Sequence, residues 1–293
     1  MTLTTLRQVS LKVATDAPPA SFFAISAVFH YLGPAFAVLL FGLVEPLGVA
    51  WLRIASAAAI FAAWRRPWRS FGLLTRAGRR VLVLWGVVLA VMNATFYLAI
   101  DRLPLGTVAA IEFIPVVGLA AVGARSIRNG TALVLAVAGV YLLADVHLAG
   151  EPLGFLFAFL NAGLFTAYIV LGHRAAEQGA AVGIDGLAMA MLVALVVVTP
   201  MGAWQAFPQV LDPTVLVAGI GVGVTSSIIP YVADQLAMSR VKRSTYALLV
   251  SLLPATATVV GIVVLAQIPT GPEVIGVGMV MGAVALHRDR DAS

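Results

Sequence analysis

The stretch LAIDRLPLGTVAAIEFIP, residues 98–115, is repeated in altered form as LAMSRVKRSTYALLVSLLP, residues 236–254. Residue pairs that are identical in register include Leu98/Leu236, Ala99/Ala237, Arg102/Arg240 and Thr107/Thr245, and the pair Pro115/Pro254 aligns after a one-residue slip. Similarity between segments so far apart indicates internal duplication. The two stretches therefore predict that the chain contains two copies of one structural unit.

The composition places this duplication in a membrane. Of the 293 residues, 61% are hydrophobic and 11% charged, and the mean hydropathy is +1.02. Soluble domains carry about 25% charged residues, so this chain is predicted to be an all-α integral membrane protein. A membrane-spanning helix needs about 20 mostly apolar residues. Ten such segments are predicted, at 20–41, 46–64, 81–100, 104–124, 130–145, 152–172, 184–204, 214–238, 244–266 and 271–287.

Basic residues set the predicted orientation. Placing both termini in the cytoplasm puts nearly all Lys and Arg residues in cytoplasmic loops, as the positive-inside rule requires. The net charge of +5 is then a topology signal, and nucleic acid is not a predicted partner. Five spans per copy is an odd number, so the copies must cross the membrane in opposite senses. The prediction is two inverted five-helix repeats, residues 1–148 and 149–293, an architecture typical of secondary transporters.

Two carboxylates lie within the predicted spans. A charge at the bilayer centre costs at least about 2.5 kcal/mol, so such residues are functional candidates. Glu112 lies deep in the fourth span, and Asp234 lies near the cytoplasmic end of the eighth. Both are candidates for proton coupling. The structural alternatives are a neutral, hydrogen-bonded acid for Glu112 and a salt bridge to Arg240 or Arg243 for Asp234.

Other polar side chains recur at helical spacing near the middle of several spans. The substrate-binding candidates are His30, Tyr31, Arg53, Asn93, Tyr97, Asn161, Tyr168, Tyr231 and Gln235. Singly, each is more often a bond between helices than a ligand, but together they favour a polar cavity. Arg53 has three possible roles: pairing with Glu112, neutralising a substrate carboxylate, or reaching the outer interface.

Four prolines interrupt the predicted spans. Each removes the hydrogen bond to the carbonyl four residues earlier, so Pro34, Pro115, Pro230 and Pro254 free the carbonyls of His30, Ile111, Ser226 and Val250. A freed carbonyl at membrane depth must face protein or a water-filled cavity. The alternative is a simple kink whose carbonyl is satisfied by a neighbouring helix.

The chain resembles the EamA-type branch of the drug/metabolite transporter superfamily, and within it the threonine/homoserine exporters. The resemblance covers nearly the whole chain. It rests on these segments: LGPAFAVLLF (32–41), PLGVAWLRIASAA (46–58), NATFYLAIDRLPLGTVAAIEF (93–113), AGLFTAYIVLGHR (162–174) and SSIIPYVADQLAMSRVKRSTYALLVSLLPATATVVG (226–261).

The resemblance implies ten helices in two inverted repeats, a central cavity, and export of a small amino acid in exchange for protons. Glu112 matches the acid of the family's AIEF segment, and Asp234 matches the acid that follows PY in the eighth helix. The chain also departs from the family. Leu253 and Gln267 stand where the ninth helix commonly carries acids, so proton coupling would depend more on Glu112 and Asp234.

The predicted function is therefore a secondary active transporter of the bacterial cytoplasmic membrane, exporting small amino acids or related metabolites by alternating access. An uncoupled facilitator, or an exporter of another small polar or amphiphilic metabolite, is the alternative. No enzyme is predicted, because the sequence shows neither a nucleophile motif nor metal-ligand spacing. Cysteine is absent, so thiol metal sites are excluded and no cofactor is predicted. The predicted partners are a small substrate, protons and lipid, and the chain is predicted to be a monomer or a homodimer.

Overall fold

A computed structural model describes residues 19–72, 74–112, 114–115, 126–147, 151–176, 180–238 and 253–286. This part of the chain is helical and contains no strand. The helices of the first half are α1 (Pro19–Leu40), α2 (Pro46–Arg65), α3 (Arg76–Ile100), α4 (Leu105–Glu112) and α5 (Ile127–His147). Those of the second half are α6 (Pro152–Ala176), α7 (Ala180–Ala206), α8, α9 (Leu253–Leu265) and α10 (Gly271–Leu286). Helix α8 has three consecutive parts: Pro213–Gly223, the π-helical turn Val224–Ile228, and Ile229–Met238.

The described helices have the length and composition of a membrane bundle. Five stretches are long and apolar enough to span a bilayer: Pro46–Arg65, Arg76–Ile100, Pro152–Gly172, Gly183–Ala206 and Pro213–Asp234. Four more apolar helices are shorter: Ala24–Leu40, Ile127–Gly139, Leu253–Leu265 and Gly271–Ala283. These helices confirm the all-α membrane class. The predicted spans 104–124 and 244–266 fall partly outside the described residues, so the count of ten spans stays a prediction.

Local signals fix where several helices begin. Pro46 starts α2, Pro152 starts α6 and Pro213 starts α8, because the N–H that proline lacks has no partner in the first turn of a helix. Helix α3 begins at Arg76, five residues before the predicted start at residue 81. The side chain of Thr75 caps it by accepting from the backbone N–H of Gly78 at 3.2 Å, so the helix continues beyond its apolar stretch.

The helices pack in pairs that repeat between the two halves. The most extensive contacts join α5 with α10, α2 with α7, α3 with α6 and α7, and α1 with α8. Each helix can be matched with the helix five positions away in chain order. Under this matching, the α3–α6 contact corresponds to the α8–α1 contact, and the α2–α7 and α5–α10 contacts correspond to themselves. The same matching relates α1–α9 to α6–α4, which are also in contact. This pattern favours two related five-helix units, and the division at residues 148/149 stays a prediction.

Glycines allow the π-helical turn of α8 to approach its neighbours. A Cβ on Gly33 of α1 would lie 2.6 Å from the backbone nitrogen of Ser226. A Cβ on Gly223 would lie 2.9 Å from the carbonyl oxygen of Arg53 in α2. Both distances are too short for any side chain, so α1, α2 and α8 meet backbone to backbone at this level.

Substituting Gly33 by alanine is expected to destabilise the bundle by about 1–3 kcal/mol, because the added methyl group overpacks a rigid backbone contact. The matched control is Gly163→Ala in α6, where a Cβ meets nothing within 4 Å. Thermal unfolding in detergent measures both variants. Gly33→Ala should melt clearly below the parent protein and Gly163→Ala should not. Equal melting temperatures would contradict the packing described above.

Candidate functional site

Arg53 lies at the centre of the site, on α2, with 4% of its surface exposed. It reaches the π-helical turn of α8 and donates from Nε to Ser227 Oγ at 2.8 Å. Its Nη2 donates to the carbonyl oxygen of Ser226 at 2.7 Å and to the Tyr231 hydroxyl at 3.1 Å. Three hydrogen bonds therefore hold the guanidinium against one side of α8.

The carbonyl of Ser226 is available because of Pro230. Proline at this position has no N–H to donate to the carbonyl four residues earlier, and the wider turn over Val224–Ile228 interrupts the regular ladder. Single π-helical turns are frequent at functional sites. The predicted free carbonyl of Ser226 thus receives its hydrogen bond from Arg53.

Tyrosine rings complete the described surroundings of Arg53. Its Cζ lies 5.6 Å from the ring centroid of Tyr97 and 5.8 Å from that of Tyr231, within the range of cation–π attraction. Within the described part of the chain, the salt bridges are Arg65–Asp185 and Arg102–Asp101, so Arg53 is not paired with an acid there. Among the described residues, the guanidinium makes its direct hydrogen bonds and ring contacts with neutral groups.

Glu112, at the end of α4, forms a second polar cluster. It is 3% exposed. Its Oε1 accepts from Asn161 Nδ2 of α6 at 2.7 Å, and its Oε2 accepts from the Tyr31 hydroxyl of α1 at 3.4 Å. Glu112 forms no salt bridge with Arg53, so the direct pairing considered from the sequence is not present in this conformation.

Aromatic rings connect the two clusters. The His30 ring lies 5.3 Å from that of Tyr31, which contacts Glu112, and 6.4 Å from that of Tyr231, which contacts Arg53. The ring centroids of Tyr168 and Tyr231 lie 5.5 Å apart. The structure therefore brings His30, Tyr31, Tyr168 and Tyr231 into one aromatic cluster.

The remaining predicted residues lie at the edge of this aromatic cluster or have other roles. Asn93 is buried and donates to the carbonyl of Leu89 in its own helix at 2.7 Å. Asp234, one turn after Tyr231, is buried and accepts from the Ser26 hydroxyl of α1. Its possible partners Arg240 and Arg243 lie outside the described residues, as does the side chain of Gln235.

The predicted helix-breaking prolines differ in position. Pro34 lies inside α1, and Pro254 is the second residue of α9, with its own carbonyl accepting from Thr258 Oγ1 at 2.9 Å. The carbonyl of Val250, which Pro254 would free, lies outside the described residues. Pro115 is partly buried, three residues after Glu112.

Several buried polar atoms around these clusters have no hydrogen-bond partner among the described residues. They are the Tyr97 hydroxyl, Asn161 Oδ1, Ser226 Oγ and the indole nitrogen of Trp85. Buried polar groups are normally paired, so these atoms are candidates for hydrogen bonds to a molecule in the site. The sequence did not predict the side chains of Trp85, Ser26, Ser226 or Ser227 as parts of the site. For the three serines the reason is that a serine within an apolar helix usually bonds its own backbone.

A membrane bundle with a buried cation, a separate buried acid and unpartnered hydrogen-bonding groups at its centre has the properties of a transporter for a small polar molecule. The EamA-like transporter family model matches residues 152–288. Over 260 residues, the chain is 33% identical to the threonine/homoserine exporter RhtA of Escherichia coli (strain K12) and to that of Salmonella typhimurium (strain LT2). The match covers 86% of this chain and 84% of each relative. The chain belongs to the EamA-like transporter family.

A solved crystal structure shares the fold. It superposes with a TM-score of 0.61 over 92% of this chain and 97% of its own chain, at 20% sequence identity. This likeness supports the architecture alone. The family and the similarity to these exporters indicate a multi-pass membrane transporter rather than an enzyme.

Proposed function

We propose that this protein is a secondary active transporter of the bacterial inner membrane that exports small amino acids of the threonine/homoserine type. The similarity to RhtA supports the substrate class. The observation that carries the proposal is the separation of charges in the site: Arg53 and Glu112 are both buried, and each is held by neutral groups instead of by the other. Such a site matches the two opposite charges of an amino acid.

Arg53 is proposed to bind the substrate carboxylate. A buried charge without a counter-ion is costly, and a guanidinium can bind a carboxylate through two parallel hydrogen bonds. Substrate binding would supply the negative charge that Arg53 lacks. The unpartnered Tyr97 hydroxyl and Ser226 Oγ lie beside this position and offer bonds to a hydroxyl of the substrate.

Glu112 is proposed to bind the substrate ammonium and, in its absence, a proton. An ammonium group has three donors and no acceptor, and Glu112 Oε2, the Tyr31 hydroxyl and the unpartnered Asn161 Oδ1 are acceptors close together. Ammonium and proton would compete for the same carboxylate. This competition is a direct physical basis for exchange between amino acid and proton.

Alternating access is proposed to operate between the two repeats. The first repeat, 1–148, contributes Arg53, Tyr97 and Glu112, and the second, 149–293, contributes Asn161 and Tyr231. Both polar clusters are therefore formed across the boundary between the repeats, so rocking of one repeat against the other would open them. With both termini in the cytoplasm, the α1–α2 turn lies on the outer side.

An uncoupled facilitator is the second candidate function. Gln267 stands where the family commonly has an acid, and its Oε1 accepts from the backbone N–H of Leu105 at the start of α4, at 3.1 Å. That position therefore has a structural bond and no titratable group. The nearby Glu273 is also buried, and it accepts from the backbone and hydroxyl of Thr270 before α10, so Glu112 and Asp234 remain the candidate coupling acids.

Competition with charge-deleted analogues tests the proposed substrate class. Threonine counterflow into proteoliposomes should be inhibited by homoserine. Threonine methyl ester lacks the carboxylate and 3-hydroxybutyrate lacks the ammonium, so each should compete roughly ten- to a hundredfold more weakly, the loss expected for one hydrogen-bonded charge. If the ester competes as well as threonine, Arg53 does not recognise a carboxylate.

A further inference from the structure

A cavity of about 480 Å³ lies at the end of the bundle that carries the α1–α2 turn. It is called the end cavity here, and in the proposed orientation it faces outward. Residues of the α1–α2 turn and of the α7–α8 connection line it: Phe41, Gly42, Leu43, Val44, Glu45, Trp204, Gln205, Phe207 and Gln209. None of these residues belongs to the Arg53 and Glu112 clusters.

Phe41 is the lining residue of the end cavity that contacts a residue of the site, Tyr97. Its ring lies 5.9 Å from that of Tyr97, edge to face. Tyr97 is fully buried, and its ring lies 5.6 Å from the guanidinium carbon of Arg53. Two aromatic rings in contact, Phe41 and then Tyr97, therefore lie in sequence between the lining of the cavity and the guanidinium of Arg53.

Of these two rings, Phe41 is the one that can move without moving a helix. It directly follows the last residue of α1 and lies in the turn before α2. The next residue, Gly42, is exposed, and a Cβ built on it meets nothing within 4 Å. Tyr97 lies inside α3, so displacing its ring requires movement of the long helix or a rotamer change in a packed core.

The lining of the end cavity suits an ammonium group. Glu45 is exposed, its side chain does not cap α2, and it forms no ion pair within the described ranges. Gln205 Oε1 is an acceptor with no partner there. Trp204 and Phe207 add aromatic faces, which attract cations.

We propose that the end cavity is the exit vestibule for the exported amino acid, and that Phe41 closes this vestibule against the Arg53 site. The inference rests on the proposed function, in that the amino acid passes Arg53. It adds a barrier residue and a second place where the substrate ammonium is attracted, next to Glu45.

Thiol accessibility tests the barrier without any substrate. The chain has no cysteine, and Ser226 lies beside Arg53, so Ser226→Cys provides one reporter thiol at the site. A membrane-impermeant thiol reagent is applied to intact cells and, separately, to inverted membrane vesicles. In the Ser226→Cys background, Phe41→Ala should accelerate labelling from the cell exterior roughly two- to tenfold, the population shift that loss of one aromatic pair produces.

Leu39→Ala is the matched control, because Leu39 is close in sequence but 60% exposed and outside the lining of the cavity. It should leave external labelling unchanged, and Phe41→Tyr, which keeps the ring, should label as slowly as the Ser226→Cys protein with Phe41 intact. The proposal is overturned if Phe41→Ala labels like Leu39→Ala, if it labels faster from both faces alike, or if it is not labelled from outside at all. Phe41→Leu serves as a milder variant should the alanine protein not accumulate.

The two proposals can fail separately. Labelling needs no amino acid, so faster external labelling without threonine transport would keep the barrier and refute the substrate. Threonine transport with labelling insensitive to Phe41 would keep the substrate and refute the barrier.

Discussion

Replacing Arg53 by glutamine is expected to reduce threonine counterflow by more than about a hundredfold. Hydrogen bonds to a charged group contribute about 1.5–3 kcal/mol each, and the substrate carboxylate would lose its charged partner. Arg53→Lys is not expected to rescue transport. A lysine ammonium is a point charge without the planar fork that binds a carboxylate through two bonds, and it cannot reproduce the fixed contacts to Ser227, Ser226 and Tyr231.

Loss of a purely structural Arg53 would also lower transport. Competition by threonine and by threonine methyl ester therefore decides whether Arg53 binds the carboxylate. In the parent protein, threonine should compete more strongly than its methyl ester. In Arg53→Gln the residual competition by the two compounds should become equal, because nothing then recognises the carboxylate. Arg80→Gln, on the exposed start of α3, is the control for loss of a positive charge. Preserved discrimination in Arg53→Gln would show that the carboxylate binds elsewhere.

Replacing Glu112 by glutamine is expected to have the second large effect. Glutamine keeps the shape of the side chain and can still accept from Asn161. It carries no charge for an ammonium group and no titratable proton. Threonine should bind roughly ten- to a hundredfold more weakly, the loss of one charged hydrogen bond, and stimulation of transport by a pH gradient should disappear.

Asp234→Asn separates the two candidate acids. Asp234 is bonded to Ser26 and is not part of the Glu112–Asn161–Tyr31 cluster, so this variant should keep its response to the pH gradient. Uptake with and without the gradient is measured for both variants. If Glu112→Gln responds to the gradient and Asp234→Asn does not, the coupling group is Asp234 and the proposed competition at Glu112 is wrong.

The sequence predicts those parts of the fold that depend on local chemistry. The starts of α2, α6 and α8 follow from Pro46, Pro152 and Pro213, and the apolar composition determines the all-helical membrane class. The free carbonyl of Ser226 is likewise local, since it depends only on a proline four residues later. Helix ends outside the apolar stretches are harder to predict from the sequence, because a cap such as Thr75 extends α3 into a polar segment.

Contacts within the site could not be predicted, because they join residues far apart in the chain. Glu112 and Asn161 are 49 residues apart, and Ser26 and Asp234 are 208 apart. Arg53 illustrates the difficulty: its type and depth indicate importance, but only the packing of α2 against α8 shows that it binds two serines and a tyrosine instead of an acid. The π-helical turn that presents those serines has no sequence signature.

Counterflow of threonine and homoserine by the purified protein in proteoliposomes, with and without a pH gradient, tests the central claim most directly. We expect labelled threonine to accumulate in threonine-loaded vesicles, homoserine to compete for the same carrier, and an imposed pH gradient to drive net movement of threonine. Accumulation without any response to the gradient would make the protein a facilitator. Fluxes of both amino acids equal to those of protein-free vesicles would contradict the account.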